Sequence, residues 1–400
     1  MHLKMIDSVP TKFQQYEFVF LGAGCASYSL LLRLLDTEDY KNARVLLIDQ
    51  NGAGGSERTW CFWEKENGYF DDLVIKKWPQ LIVADAEAKQ ELVIAPYEYK
   101  MIRGVDFFTS ARKRISSFDG VEFLSASVSS YKKENDLLSV ELSDGRKVSV
   151  ESKYVFNSIA NLPQLNACKK NGAVHLLQHF KGWFIETEKD AFDPSIATLM
   201  DFSVSQEHGT AFVYLLPISS TMALVEYTLF SESVLDKKEY DETLREYLSG
   251  KLGGVSYKIA EQEFGIIPMN DDSFAFNCGG VYQLGTSGGQ TKGSTGYTFQ
   301  FIQRQSEEIV AQLVKGGQLG EITDPSARFR FYDSILLHVL AFKYYPGAQV
   351  FLKLFKRNKA QKVLQFLDNK TTLLDEIAII SKLPWAPFLK ALGRKIIGRA

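Results

Sequence analysis

The sequence has few of the features that mark a secreted, metal-binding or disulfide-bonded protein. Its 400 residues include four cysteines, Cys25, Cys61, Cys168 and Cys278, and none of them belongs to a CxxC pair. Cysteines scattered in this way are typical of reduced thiols in the cytosol, so we expect no disulfide. The five histidines fall in no metal-ligand spacing, and we expect no metal site.

Long apolar runs are also missing. No run of about 18 apolar residues occurs, and residues 1–15 have no apolar core of the kind found in signal peptides. The P-loop motif of nucleotide-hydrolysing enzymes is absent. With 45% hydrophobic residues, the chain is long and apolar enough to fold into one or two domains.

Glycine is concentrated in two turns, the first of which is GAGCAS. It lies between the strand-like stretch Tyr16–Leu21 and a helical pattern, and a second strand-like stretch, Arg44–Asp49, ends on an acid. A strand, glycine turn, helix and acid-ended strand form the unit that binds dinucleotides. Gly22 and Gly24 permit a tight turn close to a pyrophosphate, and Asp49 can accept hydrogen bonds from a ribose.

The second turn is LGTSGGQTKGSTGYTFQF, residues 284–301, and contains five glycines. A helical pattern follows it, and we predict that the helix begins at Thr295–Tyr297. Glycine-rich backbone beside a helix N-terminus offers free N–H groups and a positive dipole end to a flat or anionic ligand. Two such turns in one chain favour one long dinucleotide held at both ends.

The pattern of the chain changes between the two turns. From about residue 161, strand-like stretches are separated by turns, with one helix predicted over Asp241–Ser249. We therefore expect an α/β fold with a Rossmann-like dinucleotide-binding domain built from residues 16–160 and 278–315. Residues 161–277 would form an inserted β-sheet domain that binds substrate, and residues 316–400 a helical C-terminal region.

Charge is unevenly distributed along the chain. Residues 342–400 contain twelve Lys or Arg and three acidic residues, a net charge of +9, which leaves about −11 for the remainder. Aromatic and leucine residues alternate with these cations, among them Phe351, Leu354, Phe355, Trp385 and Leu389. Such a pattern is typical of helices that lie on an anionic membrane surface, and we expect a cytoplasmic protein peripherally associated with the membrane. The alternative is a solvated helical cap. No nucleic-acid-binding motif is present.

Two acids lie in strand-like, largely apolar surroundings, Glu226 in ALVEYTLFS and Asp201 in LMDFS. An acid buried in such a strand is costly unless it is paired or protonated. Burial raises the pKa of a carboxyl group and makes it a proton donor near neutral pH. For both residues, the alternative is an acid on the solvated face of an edge strand.

Several motifs in one order resemble the FAD-dependent lycopene cyclases of carotenoid biosynthesis, the β-cyclase type of bacteria and plants. The resemblance covers nearly all the chain and is carried by GAGCAS, VLLIDQ, SERTWCFW, LMDFS, FVYLLPIS, ALVEYTLFS, EFGIIPM, GSTGYTF and RFYDSILLHVLAF. It implies FAD as the cofactor. With the glycine turns, it predicts these cofactor-binding residues: Gly22, Ala23, Gly24, Ala26, Asp49, Gln50, Arg58, Thr59, Val128, Gly285, Ser294, Thr295, Gly296 and Tyr297.

The resemblance also implies a reaction. Glu226 matches the glutamate that is essential for cyclisation, and Asp201 matches the aspartate of an FMD-type motif. A proton added to C2 of lycopene would leave a cation at C1, which the C5=C6 double bond attacks, and loss of the C6 proton leaves a β-ionone ring. Lycopene would become γ-carotene and then β-carotene, with reduced FAD required but not consumed and NAD(P)H as the reductant.

The chain departs from the family at two places. Tyr227 stands where family members often carry a second acid, and Gly285–Thr286 lacks the acid of a GD pair. Two other functions remain open. An FAD-dependent monooxygenase or polyprenyl reductase would consume NAD(P)H in step with its substrate, whereas a flavin-bearing lipid-binding scaffold would leave a carotenoid unchanged. Ring type, the number of rings and oligomeric state are also open.

Overall fold

The computed structural model of the chain describes residues 4–6, 9–10, 14–50, 58–316, 319–320 and 327–397. In these ranges the strands are β1 (Lys4–Met5), β2 (Gln15–Leu21), β3 (Val45–Asp49), β4 (Thr59–Glu64), β5 (Lys76–Trp78), β6 (Gln80–Ala84), β7 (Lys89–Val93), β8 (Glu98–Arg103), β9 (Val121–Ser125), β10 (Val128–Glu134), β11 (Leu137–Leu142), β12 (Lys147–Asn157), β13 (Lys169–Lys170), β14 (His175–Thr187), β15 (Ile196–Asp201), β16 (Thr210–Pro217), β17 (Met222–Ser231), β18 (Tyr257–Asn270), β19 (Ser273–Phe274), β20 (Asn277–Cys278) and β21 (Val281–Gln283). The helices are α1 (Cys25–Leu35), α2 (Gly104–Ile115), α3 (Lys237–Leu252), α4 (Phe299–Gly316), α5 (Ala327–Ala341), α6 (Gly347–Arg357), α7 (Ala360–Leu367), α8 (Leu373–Ile380) and α9 (Trp385–Ile397).

The first large sheet contains the predicted dinucleotide-binding unit. Its strands β1, β9, β3, β2 and β12 are parallel neighbours in that order, and β21 is parallel to β12. Strand β2 is fully buried from Phe18 to Leu21 because apolar clusters cover both faces of the sheet, one of them supplied by α1, α2 and α4. The predicted order of strand, glycine turn, helix and second strand is confirmed, as is the mixed α/β class.

Strand β12 belongs to two kinds of pairing along its length. Its first half pairs antiparallel with β11 and its second half pairs parallel with β2. Strands β11 and β12 form a hairpin that turns at Asp144–Gly145, where Gly145 has φ +87°, a conformation that favours glycine. The chain thus returns from the hairpin directly into the centre of the parallel sheet.

The second large sheet has the order β18, β14, β17, β16, β15, β6 and β7. Its pairs are antiparallel except for β15 with β6. Helix α3 covers one face, and its capping box of Asp236 and Glu239 begins it earlier than predicted. Strands β6 and β7 come from residues 80–93, within the segment that we assigned to the dinucleotide-binding domain. The proposed division into domains stays a prediction.

The C-terminal region is helical, as predicted, but some of its apolar residues are buried and others are exposed. Phe351, Leu354 and Phe355 of α6 are buried in the core against the second sheet, so the interpretation of these three as part of a membrane-facing surface is wrong. Trp385 and Leu389 of α9 are more than half exposed. Within the described ranges, no helix combines the length and apolarity that crossing a bilayer requires.

The expectation of four reduced thiols is wrong for one pair. Cys168 and Cys278 form a disulfide, with Cα atoms 5.7 Å apart. The antiparallel pairing of β13 with β19 places Lys169 opposite Phe274, and the backbone N–H of Ala275 donates to Cys168 O, so Cys168 lies near Cys278 although the two cysteines are 110 residues apart in sequence. Cys25 and Cys61 are free.

Candidate active site

A cavity of about 1060 Å³ brings the two glycine turns and the second sheet together. Gly24 of the first turn and Gly285 and Gly296 of the second line it, and Glu226 of β17 lines its wall. Because the turns are about 260 residues apart in sequence, only the fold joins them. The arrangement agrees with the prediction of one ligand approached by both turns.

The first turn has a shape that requires glycine. Gly22 has φ +89°, and a Cβ atom there would lie 2.6 Å from Ser158 Oγ. The backbone N–H of Ala23 donates to Asp49 Oδ2 at 2.9 Å, which fixes the acid at the end of β3 beside the turn. The turn therefore leads from β2 into α1 with Asp49 next to the first residues of the helix.

The second turn ends in a helix that begins later than predicted. Helix α4 begins at Phe299 rather than at Thr295–Tyr297. Gly296 has φ +71° and its N–H donates to Lys292 O, so a tight turn occupies the residues where we expected helix. The prediction of the helix start is wrong by a few residues, because the glycine that shapes the turn cannot continue into a right-handed helix in that conformation.

Two polar atoms in the cavity lack partners. Thr295 Oγ1 and Gln178 Oε1 are buried without a hydrogen-bond partner in the described part of the chain, and both residues line the cavity. Buried polar groups are normally hydrogen-bonded, so these atoms indicate a ligand with polar groups of its own. A Cβ on Gly296 would lie 2.1 Å from Gln178 Oε1, which shows how closely the backbone approaches this position. These residues fit a cofactor with a flat, polar ring system.

The predicted cofactor-binding residues divide into two groups. Those that line the cavity are Gly24, Ala26, Arg58, Thr59, Gly285, Thr295, Gly296 and Tyr297. Gly22, Ala23 and Asp49 lie at the first turn beside it. Outside the lining, Gln50 accepts a hydrogen bond from Ser127, Val128 is buried in the apolar core, and Ser294 donates to Asp333. The cofactor contacts of all these residues stay predictions.

Glu226 faces a second acid across the sheet. In the pairing register, Glu226 of β17 lies opposite Gly182 of β14, and Gly182 lies opposite Glu263 of β18. Residues in one such row point to the same face of the sheet. Because Gly182 has no side chain, the carboxyl groups of Glu226 and Glu263 come within hydrogen-bonding reach of each other above it.

Each carboxyl group of the pair is also held by a threonine. Thr228 Oγ1 donates to Glu226 Oε1 at 3.1 Å, and Thr59 Oγ1 donates to Glu263 Oε2 at 2.8 Å. When both acids are ionised, the buried Glu263 Oε1 has no hydrogen-bond donor within the described chain. When Glu226 carries a proton, its carboxyl group is a donor for this oxygen. The hydrogen-bond pattern is complete when the pair holds one proton.

The same arrangement sets the acidity of the pair. Burial, and after it the neighbouring Glu263, raise the pKa of Glu226 well above its usual 4.5. Burial also raises the pKa of Glu263, but the hydrogen bond from Thr59 opposes this effect. Glu226 is enclosed by protein and is reached from the cavity that it lines, so its carboxyl group is suited to deliver a proton to a ligand there.

Aromatic side chains surround the acid pair. Tyr99, Tyr214 and Tyr297 line the cavity, and the hydroxyls of Tyr214 and Tyr297 are hydrogen-bonded to each other. Burial raises the pKa of all three phenols, so they are neutral at physiological pH. Neutral aromatic rings beside an acid can stabilise a transient cation through their faces.

Asp201 lies away from the cavity. In the register of β15, β16 and β17 it shares a row with Val213 and Tyr227, on the face opposite to Glu226. Its Oδ2 accepts from Tyr247 at 2.9 Å and contacts Lys251 Nζ at 2.8 Å, both in α3. Although burial opposes it, Lys251 and the hydrogen bonds from Ser203 together hold the pKa of Asp201 below its usual value. Its catalytic role stays a prediction, and its contacts favour attachment of α3 to the sheet.

Glu263 is not among the site residues predicted from the sequence. The residue stands in EFGIIPM, which entered only as part of the resemblance, and it lies in an edge strand that also carries the exposed acid Glu261. A signal was present in Gly182, a lone glycine inside the apolar strand HFKGWFIET, because glycine within a strand often marks a close approach of other groups. The partner that approaches it depends on strand register, which the sequence does not give.

The chain resembles known proteins over almost its whole length. A family model described as "Lycopene cyclase protein" matches residues 17–393. A lycopene beta-cyclase from Pantoea ananas is 23% identical and covers 94% of this chain and 97% of its own length. A lycopene beta-cyclase from Pseudescherichia vulneris is 25% identical over 70% of each chain.

Solved structures of other proteins are similar in fold. A flavoprotein/dehydrogenase from Cytophaga hutchinsonii superimposes with a TM-score of 0.63 at 11% sequence identity, covering 97% of this chain and 100% of its own. At this identity the likeness concerns the fold alone. It agrees with the two-sheet architecture and the helical C-terminal region described above.

Proposed function

The chain belongs to the lycopene cyclase family, and on this premise we propose that it closes β-ionone rings at the ends of lycopene by acid-initiated cyclisation without net oxidation or reduction. The observation that carries this proposal is the position of Glu226, which lies in the wall of a cavity that both glycine turns line and is paired there with Glu263, with its pKa raised by burial. Cyclisation of a hydrocarbon requires a proton donor that is still protonated at neutral pH, in a site that excludes water, and an acid with a raised pKa in the cavity wall meets that requirement.

The proposed reaction uses Glu226 as the donor to C2 of the substrate. The electrons of C1=C2 form the new C2–H bond and leave a cation at C1. The C5=C6 electrons then form the C1–C6 bond, and loss of the C6 proton restores a double bond between C5 and C6. One end gives γ-carotene, and reaction at both ends gives β-carotene.

The cavity wall supports a hydrocarbon substrate in this proposal. Phe180, Leu216 and Leu224 line it from the second sheet. Apolar side chains bind a polyene without competing for the proton and exclude water from the cation. The three tyrosines near Glu226 would orient the reacting end and stabilise its positive charge.

We propose FAD as the cofactor of this cavity. The residues that would hold it are those of the two glycine turns, together with Thr295 and Gln178, whose buried polar atoms lack partners within the described residues. When bound and reduced, a flavin supplies a fixed negative charge in a water-poor cavity, which favours cationic states nearby. NAD(P)H as the reductant rests on the resemblance alone and stays a prediction.

We also propose that the protein works at a membrane surface, where its water-insoluble substrate is found. Six apolar residues of α8 and α9 are more than half exposed, namely Leu373, Leu374, Ile377, Trp385, Leu389 and Ile396, and we name this set the exposed apolar face. In α9 its members recur at a spacing of four and seven residues, which places them along one side of the helix. Lys382, Lys390 and Arg394 are exposed beside them and suit anionic lipid headgroups.

Expression in bacteria that accumulate lycopene tests the activity. Chromatography of the pigments is expected to give γ-carotene and β-carotene for the wild type and unchanged lycopene for Glu226→Gln. Purified Glu226→Gln should still carry flavin, recorded by its absorbance. With purified enzyme, NAD(P)H consumption in proportion to product would contradict the proposal and favour a monooxygenase or reductase.

A further inference from the structure

Donation of a proton requires one acid, but the row formed by Glu226, Gly182 and Glu263 contains two. Two buried acids meet in one cavity, each with one oxygen held by a threonine hydroxyl. The free oxygen of Glu263 has no donor in the described chain other than Glu226. A lone buried acid would be protonated without such a partner, so the second carboxyl requires a separate explanation.

We propose that Glu226 and Glu263 act as one acid–base pair that holds a single proton, with Glu263 as the positioning residue that keeps this proton on Glu226 and receives negative charge when it leaves. The inference rests on the proposed cyclisation and goes beyond it, because it assigns a role to Glu263 and explains Gly182.

The pair of acids requires a glycine at position 182. A Cβ atom at position 182 would lie 2.9 Å from Glu263 Cγ, 3.1 Å from Glu263 Oε1 and 3.0 Å from Leu224 Cδ1. Real Cβ atoms do not occur at the shortest of these distances without movement of the neighbour, so any larger residue would push the Glu263 side chain aside. Strand β14, which lies between the two acids, therefore has no side chain at position 182, where the two carboxyl groups meet.

A pair with one proton accounts for a complete turnover. The O–H bond of Glu226 breaks as the C2–H bond forms, which leaves both carboxyls ionised beside the cation. Two adjacent carboxylates attract a proton strongly, so the pair can recover the one released when the C6–H bond breaks. One proton enters the substrate and one leaves it, and the pair returns to its starting state without an oxidant or reductant.

Other groups around the pair influence its charge. Arg58 and Arg103 act on Glu263 through their positive charge, and Arg103 also forms an ion pair with Glu261. Cys61 of β4, Tyr99 of β8 and Tyr214 of β16 face Glu226, and burial raises the pKa of each. Because these three are neutral, the charge beside the cavity at this position is that of the acid pair and the two arginines.

The test compares Glu263→Gln with the wild type in flavin-loaded enzyme, with cyclisation rates measured across pH. Replacing the carboxylate by an amide removes the like charge that holds the proton on Glu226. The alkaline limb of the pH–rate profile should therefore move toward acid by at least about one pH unit, a tenfold loss of rate on that limb. Glu263→Asp keeps the charge and should restore most of the wild-type profile. A uniform fall at every pH would indicate a merely structural role and overturn the inference.

A second variant keeps the test decisive if Glu263→Gln does not fold. Gly182→Ala should separate the two carboxyls and reproduce the acid shift, whereas Gly250→Ala on α3, where a Cβ meets nothing within 4 Å, is the matched control and should leave the profile unchanged. If the wild type forms no cyclic carotenoid, the proposed function fails. If the wild type is active and both Glu263→Gln and Gly182→Ala keep its pH profile, only the acid–base pair is wrong.

Discussion

Thr59 donates its hydroxyl to Glu263 Oε2 across 2.8 Å, although the two residues are 204 positions apart in sequence. Thr59 begins β4, directly after the predicted cofactor residue Arg58, and Glu263 lies in the edge strand of the second sheet. This bond therefore connects the cofactor side of the cavity to the acid pair. It also lowers the pKa of Glu263 against the effect of burial.

Removing that hydroxyl should move the pH profile in the direction opposite to Glu263→Gln. A hydrogen bond to a charged group contributes about 1.5–3 kcal/mol, which corresponds to about one to two pKa units. Thr59→Val should therefore hold the shared proton more tightly and shift the alkaline limb of the rate profile to higher pH by about one unit. Thr59→Ser is the control and should leave the limb in place. An acid shift in Thr59→Val would contradict the assignment of the hydrogen bond.

Gly296→Ala should abolish flavin binding. The new Cβ would meet Gln178 Oε1 at 2.1 Å, and φ +71° is strained for alanine, so the turn beside Thr295 must change shape. The purified variant should lose the visible absorbance of the cofactor while its far-ultraviolet circular dichroism stays that of the wild type. Gly393→Ala, at a helical position with nothing within 4 Å, is the control and should keep the absorbance. Normal flavin content in Gly296→Ala would exclude this turn from the cofactor site.

Asp201→Asn should weaken the fold and spare the chemistry. The substitution removes the charge that pairs with Lys251, at a cost of about 1–3 kcal/mol, because Asp201 is buried. The melting temperature should fall while the rate per folded molecule stays close to that of the wild type. Lys251→Met should lower the melting temperature in the same way. A large loss of cyclisation in folded Asp201→Asn would instead assign it a catalytic role.

Asp201 also predicts how the stability of the fold depends on pH. Because the pKa of Asp201 is lowered in the folded protein, its stabilisation is present above the unfolded value near 3.8 and is lost as pH falls through the folded value. The difference in melting temperature between wild type and Asp201→Asn should therefore shrink as pH is lowered below about 4. A difference that is constant down to pH 3 would contradict the ion pair.

The exposed apolar face should determine membrane binding. Replacing Trp385, Leu389 and Ile396 by serine should reduce co-sedimentation with vesicles that contain anionic lipid at least tenfold, because about 1.5–3 kcal/mol of burial is lost for each side chain. Val314→Ser, on an exposed side of α4, is the control. Binding of the triple variant equal to that of the wild type would exclude this face as the contact with lipid.

The local sequence pattern was sufficient to predict the secondary-structure elements but not the contacts between them. The largely apolar run ALVEYTLFS and the glycine turn after β2 predicted strand and turn correctly, because both depend on residues close in sequence. The pairing of Cys168 with Cys278 and of Glu226 with Glu263 depends on strand order and register, to which sequence separation gives no guide. The start of α4 was missed for a local reason, since Gly296 was read as part of a helix and instead ends a turn.

The apolar residues of the C-terminal region illustrate the same limit. Phe351 and Trp385 occupy similar basic and aromatic sequence, yet Phe351 is buried and Trp385 is 72% exposed. The difference arises because α6 packs on the second sheet, whereas the exposed side of α9 has no neighbour within the described chain. Composition predicted the helices, and only packing distinguished core from surface.

Cyclisation in deuterated water tests most directly whether an enzyme carboxyl starts the reaction. Purified, flavin-reduced enzyme is given lycopene in D₂O with unlabelled NAD(P)H, and the γ-carotene product is examined by mass spectrometry and NMR. We expect one deuterium at C2 of the new ring, because Glu226 exchanges its proton with solvent before it donates. Product without deuterium, with hydrogen delivered from the nicotinamide instead, would contradict it.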